Sequence, residues 1–232
     1  SLIDYIKGSA EWRIDITPSD PIREIIRDPV NGEVKIKSGK YWRLVQFVDA
    51  SPSPLRCGCI NGILGSNSSD LIHGDQVPSD VFIDSNNFEF HDNLTFNTVN
   101  YFSKLPKRVT NNSTDAELLA VKGGLVDGLH TKQLLVELSI ISPVEKFLCL
   151  SDSRNVLINI DGLKIPVSAN LKSDYIWINS MQKNLVKFCK IDGKLNISDV
   201  LTKSICSGNI YVEILDKYFS FGLMGLNIRQ FL

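Results

Sequence analysis

The sequence predicts an α/β protein built on a mixed five-stranded sheet, its first three strands antiparallel, flanked by helices. Three observations carry that prediction. Strand-like stretches at 43–49, 55–65 and 94–102 come first, with no helical pattern between them. A long apolar stripe of period 3.6 follows. Short apolar runs at 146–151 and 186–191 then alternate with helical segments, the pattern that builds parallel sheet. The 232 residues, 43% apolar and 22% charged, are enough to bury a core. Collagen, a long coiled coil, a largely disordered chain and a disulfide knot are all excluded by this composition. No apolar run approaches the ~20 residues a membrane-spanning helix needs, so no membrane is expected as a partner. The start, SLIDYIKGS, has no basic segment before its apolar residues and does not read as a signal peptide.

The elements follow in order. Leu2, Ile3, Ile6 and Ala10 at helical spacing read as the end of a helix over 2–13. Residues 17–40 hold Pro18, Pro21 and Pro29 and read as a linker with short extended pieces. The strand at 43–49 and the strand at 55–65 come next, and Cys57 and Cys59 share one face of the latter. The five cysteines are scattered, with no His nearby at metal spacing. They read as core thiols in a reducing compartment and not as a zinc site. A polar stretch, 66–93, precedes the third strand. From Cys57 through Ser103 there are six of the 26 acidic residues and none of the 25 basic ones, which leaves the rest of the chain at about +5. The net charge of -1 therefore conceals an acidic insertion on a mildly basic body.

The clearest helix begins after Thr114. Leu118, Leu119, Val121, Leu125, Val126, Leu129, Leu134, Leu135 and Leu138 form its stripe, with Ser113 and Thr114 as cap candidates and Asp115 and Glu117 in the first turn. Gly123, Gly124 and Gly128 inside it point to close packing on a sheet, or to a kink. A strand at 146–151 ends at Asp152. A brief helix at 153–160, a helix at 174–185, a strand at 186–191, a turn at Asp192-Gly193 and a helix from about 198 complete the pattern.

Four acids fall at informative places: Asp49 on the first strand, Glu117 one turn into the long helix, Asp152 at the end of the fourth strand, and Asp199 at the start of the last helix. Two strand ends and two helix starts can converge on one edge of an α/β sheet. Clustered carboxylates cannot stay ionised together without a compensating charge. Magnesium supplies that charge through oxygen ligands. Two such ions about 4 Å apart activate a water and stabilise a leaving oxygen in phosphodiester cleavage.

At these residues the sequence resembles the RNase H domain of copia-type LTR retrotransposon reverse transcriptases, including those of budding yeasts. LIDYIKG at 2–8 is similar to the helix ending the polymerase part, and LVQFVDAS at 44–51 to the first-Asp strand. KLPKRVTNNSTDAE at 104–117 resembles the lysine-containing segment and the Ser-Thr-x-Ala-Glu motif. FLCLSD at 147–152 resembles the third-acid strand, and NISDVLTK at 196–203 the terminal Ala-Asp-x-x-Thr-Lys signature.

The resemblance implies an RNase H-like fold and hydrolysis of the RNA strand of an RNA–DNA hybrid with two Mg2+ ions, Mn2+ substituting. Asp49, Glu117, Asp152 and Asp199 would be the catalytic, metal-binding carboxylates. Ser51, Asn112, Ser113 and Thr114 would contact the backbone, and Lys104, Lys107 and Arg108 the phosphates. The implied setting is a Pol polyprotein with an upstream reverse transcriptase domain, in a cytoplasmic virus-like particle or in the nucleus. Residues 1–40 would be the end of the reverse transcriptase or connection segment and a linker. Residues 41–205 would be the RNase H-like domain with its insertion at 66–93, and 206–232 a C-terminal extension. Glu117 follows Asp49 by 68 residues, more than the family's usual gap, because of that insertion. The insertion or the extension could hold a protein partner or another subunit. The competing reading is a non-catalytic module of the same fold, a domesticated retroelement or a connection-type domain acting in protein binding or assembly.

Overall fold

The computed structural model describes residues 20–27, 34–38, 40–52, 55–66, 94–108, 110, 112–162 and 171–203. The helix read at 2–13, the acidic residues 67–93, Cys206 and the extension 206–232 lie outside the described residues. The strands are β1 (Asp20–Arg27), β2 (Val34–Ser38), β3 (Arg43–Pro52), β4 (Leu55–Ser66), β5 (Leu94–Lys104), β6 (Phe147–Ser151) and β7 (Val186–Lys190). The helices are α1 (Ser113–Glu137), α2 (Arg154–Gly162) and α3 (Lys172–Asn184), followed by short 3-10 turns at Gly193–Leu195 and Ile197–Leu201.

The expected mixed five-stranded sheet is present, in the order β5-β4-β3-β6-β7. β3, β4 and β5 pair antiparallel, and β6 and β7 join parallel to β3. The short extended pieces expected in 17–40 include a strand pair that joins the sheet. β1 and β2 form an antiparallel ladder, and Asp20 and Pro21 pair with Ser66 and Gly65 of β4. Since β5 already holds the other edge of β4 there, β1 takes up the edge that β3 leaves after its pair Arg43–Leu64.

β3 lies at the centre, and every residue from Leu44 to Ser51 is buried. Such a strand reads as a near-continuous apolar run because both its faces are covered. Leu44 and Val48 point to α1 and pack with Leu118, Val121 and Leu125. Val45 and Phe47 point to the opposite face, where the Phe47 ring meets Phe96 edge-on at 5.2 Å.

α1 seats through its glycines. A Cβ on Gly124 would lie 2.6 Å from Val48 Cγ1, and one on Gly128 would lie 2.5 Å from Gln46 Nε2. Gly123 faces no such contact, its nearest neighbour being 3.5 Å away. Close packing is thus the role of Gly124 and Gly128 alone. The buried stripe is also narrower than the sequence pattern. Val126, Leu134 and Leu138 are 44%, 52% and 60% exposed. Small residues, Ala116, Ala120, Gly124 and Gly128, occupy the line of contact in their place. The N-cap is Asn112, not Ser113 or Thr114: its side chain accepts from the Asp115 N–H at 2.8 Å. The helix expected from about 198 is a five-residue 3-10 turn.

Among the described residues, Cys57, Cys59, Cys149 and Cys189 are free and buried. Burial raises all four thiols above their ordinary value, Cys57 and Cys189 to about 11. No described helix is long and apolar enough to cross a membrane.

Candidate active site

β3 and β6 bring two acids to one level. Their parallel ladder pairs Val45 with Leu148 and Phe47 with Leu150, and continuing that register sets Asp49 beside Asp152. Asp152 is the first residue beyond β6. The turn there is pinned by the Ser151 hydroxyl, which accepts from the Ser153 N–H at 3.2 Å, and by the Ile191 N–H on the Ser151 carbonyl at 3.1 Å. Glu117 enters from the first turns of α1. Its carboxylate and those of Asp49 and Asp152 each offer an oxygen within 4.8 Å of the others.

Asp199 reaches the margin of this group on the Ile197–Leu201 turn, which is fastened to the sheet by three hydrogen bonds. The Asn196 side-chain amide donates to the Val48 carbonyl at 3.0 Å. The Thr202 hydroxyl donates to Asp49 Oδ2. Ser103 on β5 donates to the Leu201 carbonyl at 2.6 Å. Gly58, paired with Asp49 across the β3–β4 ladder, makes room for the turn. A Cβ there would lie 2.8 Å from Thr202 Cγ2 and 2.9 Å from Leu201 Cβ. Gly193 performs the same service for Asp152, whose Oδ2 would lie 3.1 Å from an added Cβ. α1 covers the sheet face of Leu44 and Val48, and the turn covers the face of Asp49 and Gly58. The acids gather where the β3–β6 ladder ends between them.

The electrostatics follow from crowding. Burial pushes the Glu117 carboxyl up to about 9, helped by the charges of Asp49 and Asp152. Burial, then the Asp49 charge, lifts Asp199 to about 7, against the pull of Lys203, whose Nζ donates to Asp199 Oδ2 at 2.5 Å. Asp152 is raised by the same two causes. Glu117 Oε2, Asp152 Oδ1 and Asp199 Oδ1 are buried with no hydrogen-bond partner. Buried carboxylate oxygens without donors are costly. Oxygen ligands converging from three or four carboxylates are what a hard divalent cation takes. The residues therefore fit such an ion, with Asp49, Glu117 and Asp152 as the group able to hold it.

The other sequence candidates are placed differently. Ser51 is buried on β3, two residues beyond Asp49. Asn112 has its side-chain oxygen engaged as the α1 cap. Ser113 is exposed and Thr114 half-buried in the first turn. Lys104 ends β5 with its ammonium 3.9 Å from the Phe102 ring centroid. Lys107 is exposed in the following loop. Arg108 is committed elsewhere: it pairs with buried Asp174 on α3 at 2.7 Å, and Lys122 holds the other oxygen of that carboxylate at 2.5 Å. Sequence reasoning missed Thr202, Asn196 and Gly58. Only the Thr-Lys of the terminal motif signalled any of them.

Neither a family model nor a curated protein matches the sequence. The structure is similar to that of the N-terminal RNase H domain of a Mycobacterium tuberculosis protein, solved as a fusion with maltose-binding protein. The identity is 15%, the match covers 75% of this chain and 94% of that one, and the TM-score is 0.41. It is also similar to LC11-RNase H1, isolated from compost by a metagenomic approach, at 16% identity, 70% and 93% coverage and a TM-score of 0.39.

Proposed function

We propose that this chain is a ribonuclease H that hydrolyses the RNA strand of RNA–DNA hybrids with two divalent cations, magnesium or manganese. Its biological setting in this reading is reverse transcription of a copia-type retrotransposon, beside an upstream reverse transcriptase domain. One observation carries the reading: acids from β3, the end of β6 and α1 converge with Asp199 at their margin, and three of the buried oxygens of these acids have no donor. Asp49, Glu117 and Asp152 would hold the cations, with Asp199 completing the set from the margin. Bound there, the cations would neutralise the acids, favour ionisation of an attacking water and stabilise charge on the leaving 3′ oxygen.

The chain's own contribution is positional. Thr202 fixes the rotamer of Asp49, and Asn196 fixes the β3 backbone one residue earlier. Gly58 and Gly193 admit the turn and the Asp152 carboxylate where a side chain would displace them. Burial and the neighbouring acids favour the protonated form of Glu117 at neutral pH, and a cation held there would displace that proton.

The test is cleavage of an end-labelled RNA–DNA hybrid in magnesium and in manganese, with single-stranded RNA and duplex DNA as controls. Wild type should cut only the RNA strand of the hybrid. Asp152→Asn should lose more than the ~10–100-fold that removal of an outer hydrogen-bond partner costs at a metal centre. A folded wild-type chain that cuts nothing in either metal, alone or joined to a polymerase segment, would overturn the reading in favour of a non-catalytic module.

A further inference from the structure

We infer that Arg56 is a nucleic-acid contact of this site, gripping a backbone phosphate next to the one that is cut; the inference rests on the hybrid-cleaving reading above. Arg56 stands opposite Ser51 at the mouth of the β3–β4 hairpin and two residues before Gly58, the partner of Asp49. Residues two apart on a strand share a face. Arg56 is therefore on the side of the sheet that carries Asp49, Thr202 and the Ile197–Leu201 turn. Two residues of strand span about 7 Å, the scale of one nucleotide along a backbone.

Its guanidinium is held in place and still has capacity. Nη1 donates to the Ser103 hydroxyl at 3.1 Å, and Ser103 in turn donates to the Leu201 carbonyl. That single bond uses one of the five N–H donors of a guanidinium, and the rest of the fork suits a phosphate. No carboxylate pairs with Arg56 among the described residues. Arg108 differs in that its charge is paired with Asp174. The chain also gives Arg56 a partner across the site. Arg56 and Lys104 are the basic residues that bracket the run from Cys57 to Ser103, which has none. Cys57 pairs with Lys104 across β4 and β5, so Lys104 points to the α1 side and Arg56 to the turn side. The acids thus have a cation on either flank.

The test is the salt dependence of kcat/KM for hybrid cleavage in magnesium across a KCl series. Wild type runs beside Arg56→Gln, which keeps a donor for Ser103, Arg56→Lys, which keeps the charge, and Lys183→Gln, an exposed cation on α3. Removing one phosphate contact flattens the slope of log kcat/KM against log salt by about 0.9. Arg56→Gln should show that flattening and a loss of about tenfold at low salt, the scale of one charge-assisted hydrogen bond. Arg56→Lys should keep the wild-type slope, and Lys183→Gln should match wild type. An Arg56→Gln slope equal to that of wild type, in a chain that cuts hybrid, would overturn the Arg56 assignment alone. A wild-type chain that cuts no hybrid would overturn the nuclease reading and the assignment with it.

Discussion

Two polar clusters are built on β3 three residues apart, so they start from opposite faces of the strand: Gln46 on the α1 side and Asp49 on the side of the Ile197–Leu201 turn. At Gln46 the chain has closed a network. Gln46 Nε2 donates to Asn61 Oδ1 and to the Gly124 carbonyl, each at 2.7 Å. Asn61 donates to Asp127 at 2.6 Å and to Asn100 at 2.7 Å, and Asn100 donates to Thr131 at 2.9 Å. Gln46 Oε1 is the one buried atom of this group without a partner. At Asp49 the reverse holds: like charges face one another, and donors for three buried oxygens are missing. The same sheet and helix thus carry one cluster satisfied from within and one that needs something from outside. The first sets where α1 sits. The second is the part of the fold that a stability criterion alone would have removed.

Substitutions should separate the two clusters, and the largest effect belongs to the acids. Glu117→Gln should abolish hybrid cleavage beyond the ~100-fold bound for an outer partner, yet leave the metal-free chain at pH 8 more heat-stable than wild type. Thermal melts in EDTA check the second half, and a destabilised Glu117→Gln would place the acid in the structural class. Thr202→Val should cost about 10–100-fold in cleavage and in apparent magnesium affinity, read from a magnesium titration of the rate.

On the Gln46 side the effect should fall on stability instead. Gly124→Ala forces a Cβ to 2.6 Å from Val48 and should cost about 1–3 kcal/mol in urea unfolding. Gly123→Ala meets nothing closer than 3.5 Å and should gain up to ~1 kcal/mol. Equal effects at the two glycines would show that α1 does not rest on β3 as described.

The smallest effect is a pH slope. Glu117, Asp152 and Asp199 have their folded-state values raised, Glu117 to about 9 and Asp199 to about 7. Between the ordinary carboxylate range and those values the folded chain holds protons that the unfolded chain has lost. Stability without metal therefore falls as pH rises from about 4 to about 9. Saturating magnesium should flatten that slope in a melting series, because the cation replaces the protons.

What could be read from the sequence, and what could not, divides along the same line. β3, β4, β6, β7 and α1 announced themselves through local period, since burial on one or both faces writes itself into neighbouring residues. The β1–β2 pair was legible only as short extended pieces: Pro21 and the charges of DPIREIIR gave no sign of its pairing with β4, although Pro is tolerated at the start of a strand. The last helix failed for another reason. Asn196 and Thr202 spend their side chains on β3, and the Asn196 oxygen also accepts from the Ser198 hydroxyl at 2.6 Å. Such groups compete with helical bonding. The four acids were legible as a chain-order pattern. The residues that hold them were not, because each acts across a long separation: Asn196 on Val48, Thr202 on Asp49, Ser103 on Leu201. The commitment of Arg108 to Asp174 was hidden in the same way.

That separation has a consequence for biosynthesis. The bonds from Asn196 and Thr202 to β3 join residues 148 and 153 positions apart. The chain holds Asp49, Glu117 and Asp152 before either Asn196 or Thr202 has been added. Contacts of such long range are also among the slowest to form once the chain is free. A nascent or prematurely ended chain that stops short of Asn196 holds three of the four acids and neither of the side chains, Asn196 and Thr202, that tie the turn to β3. The acid centre is assembled late, because its last acid and the two side chains that tie the turn to β3 lie at the end of the described sequence.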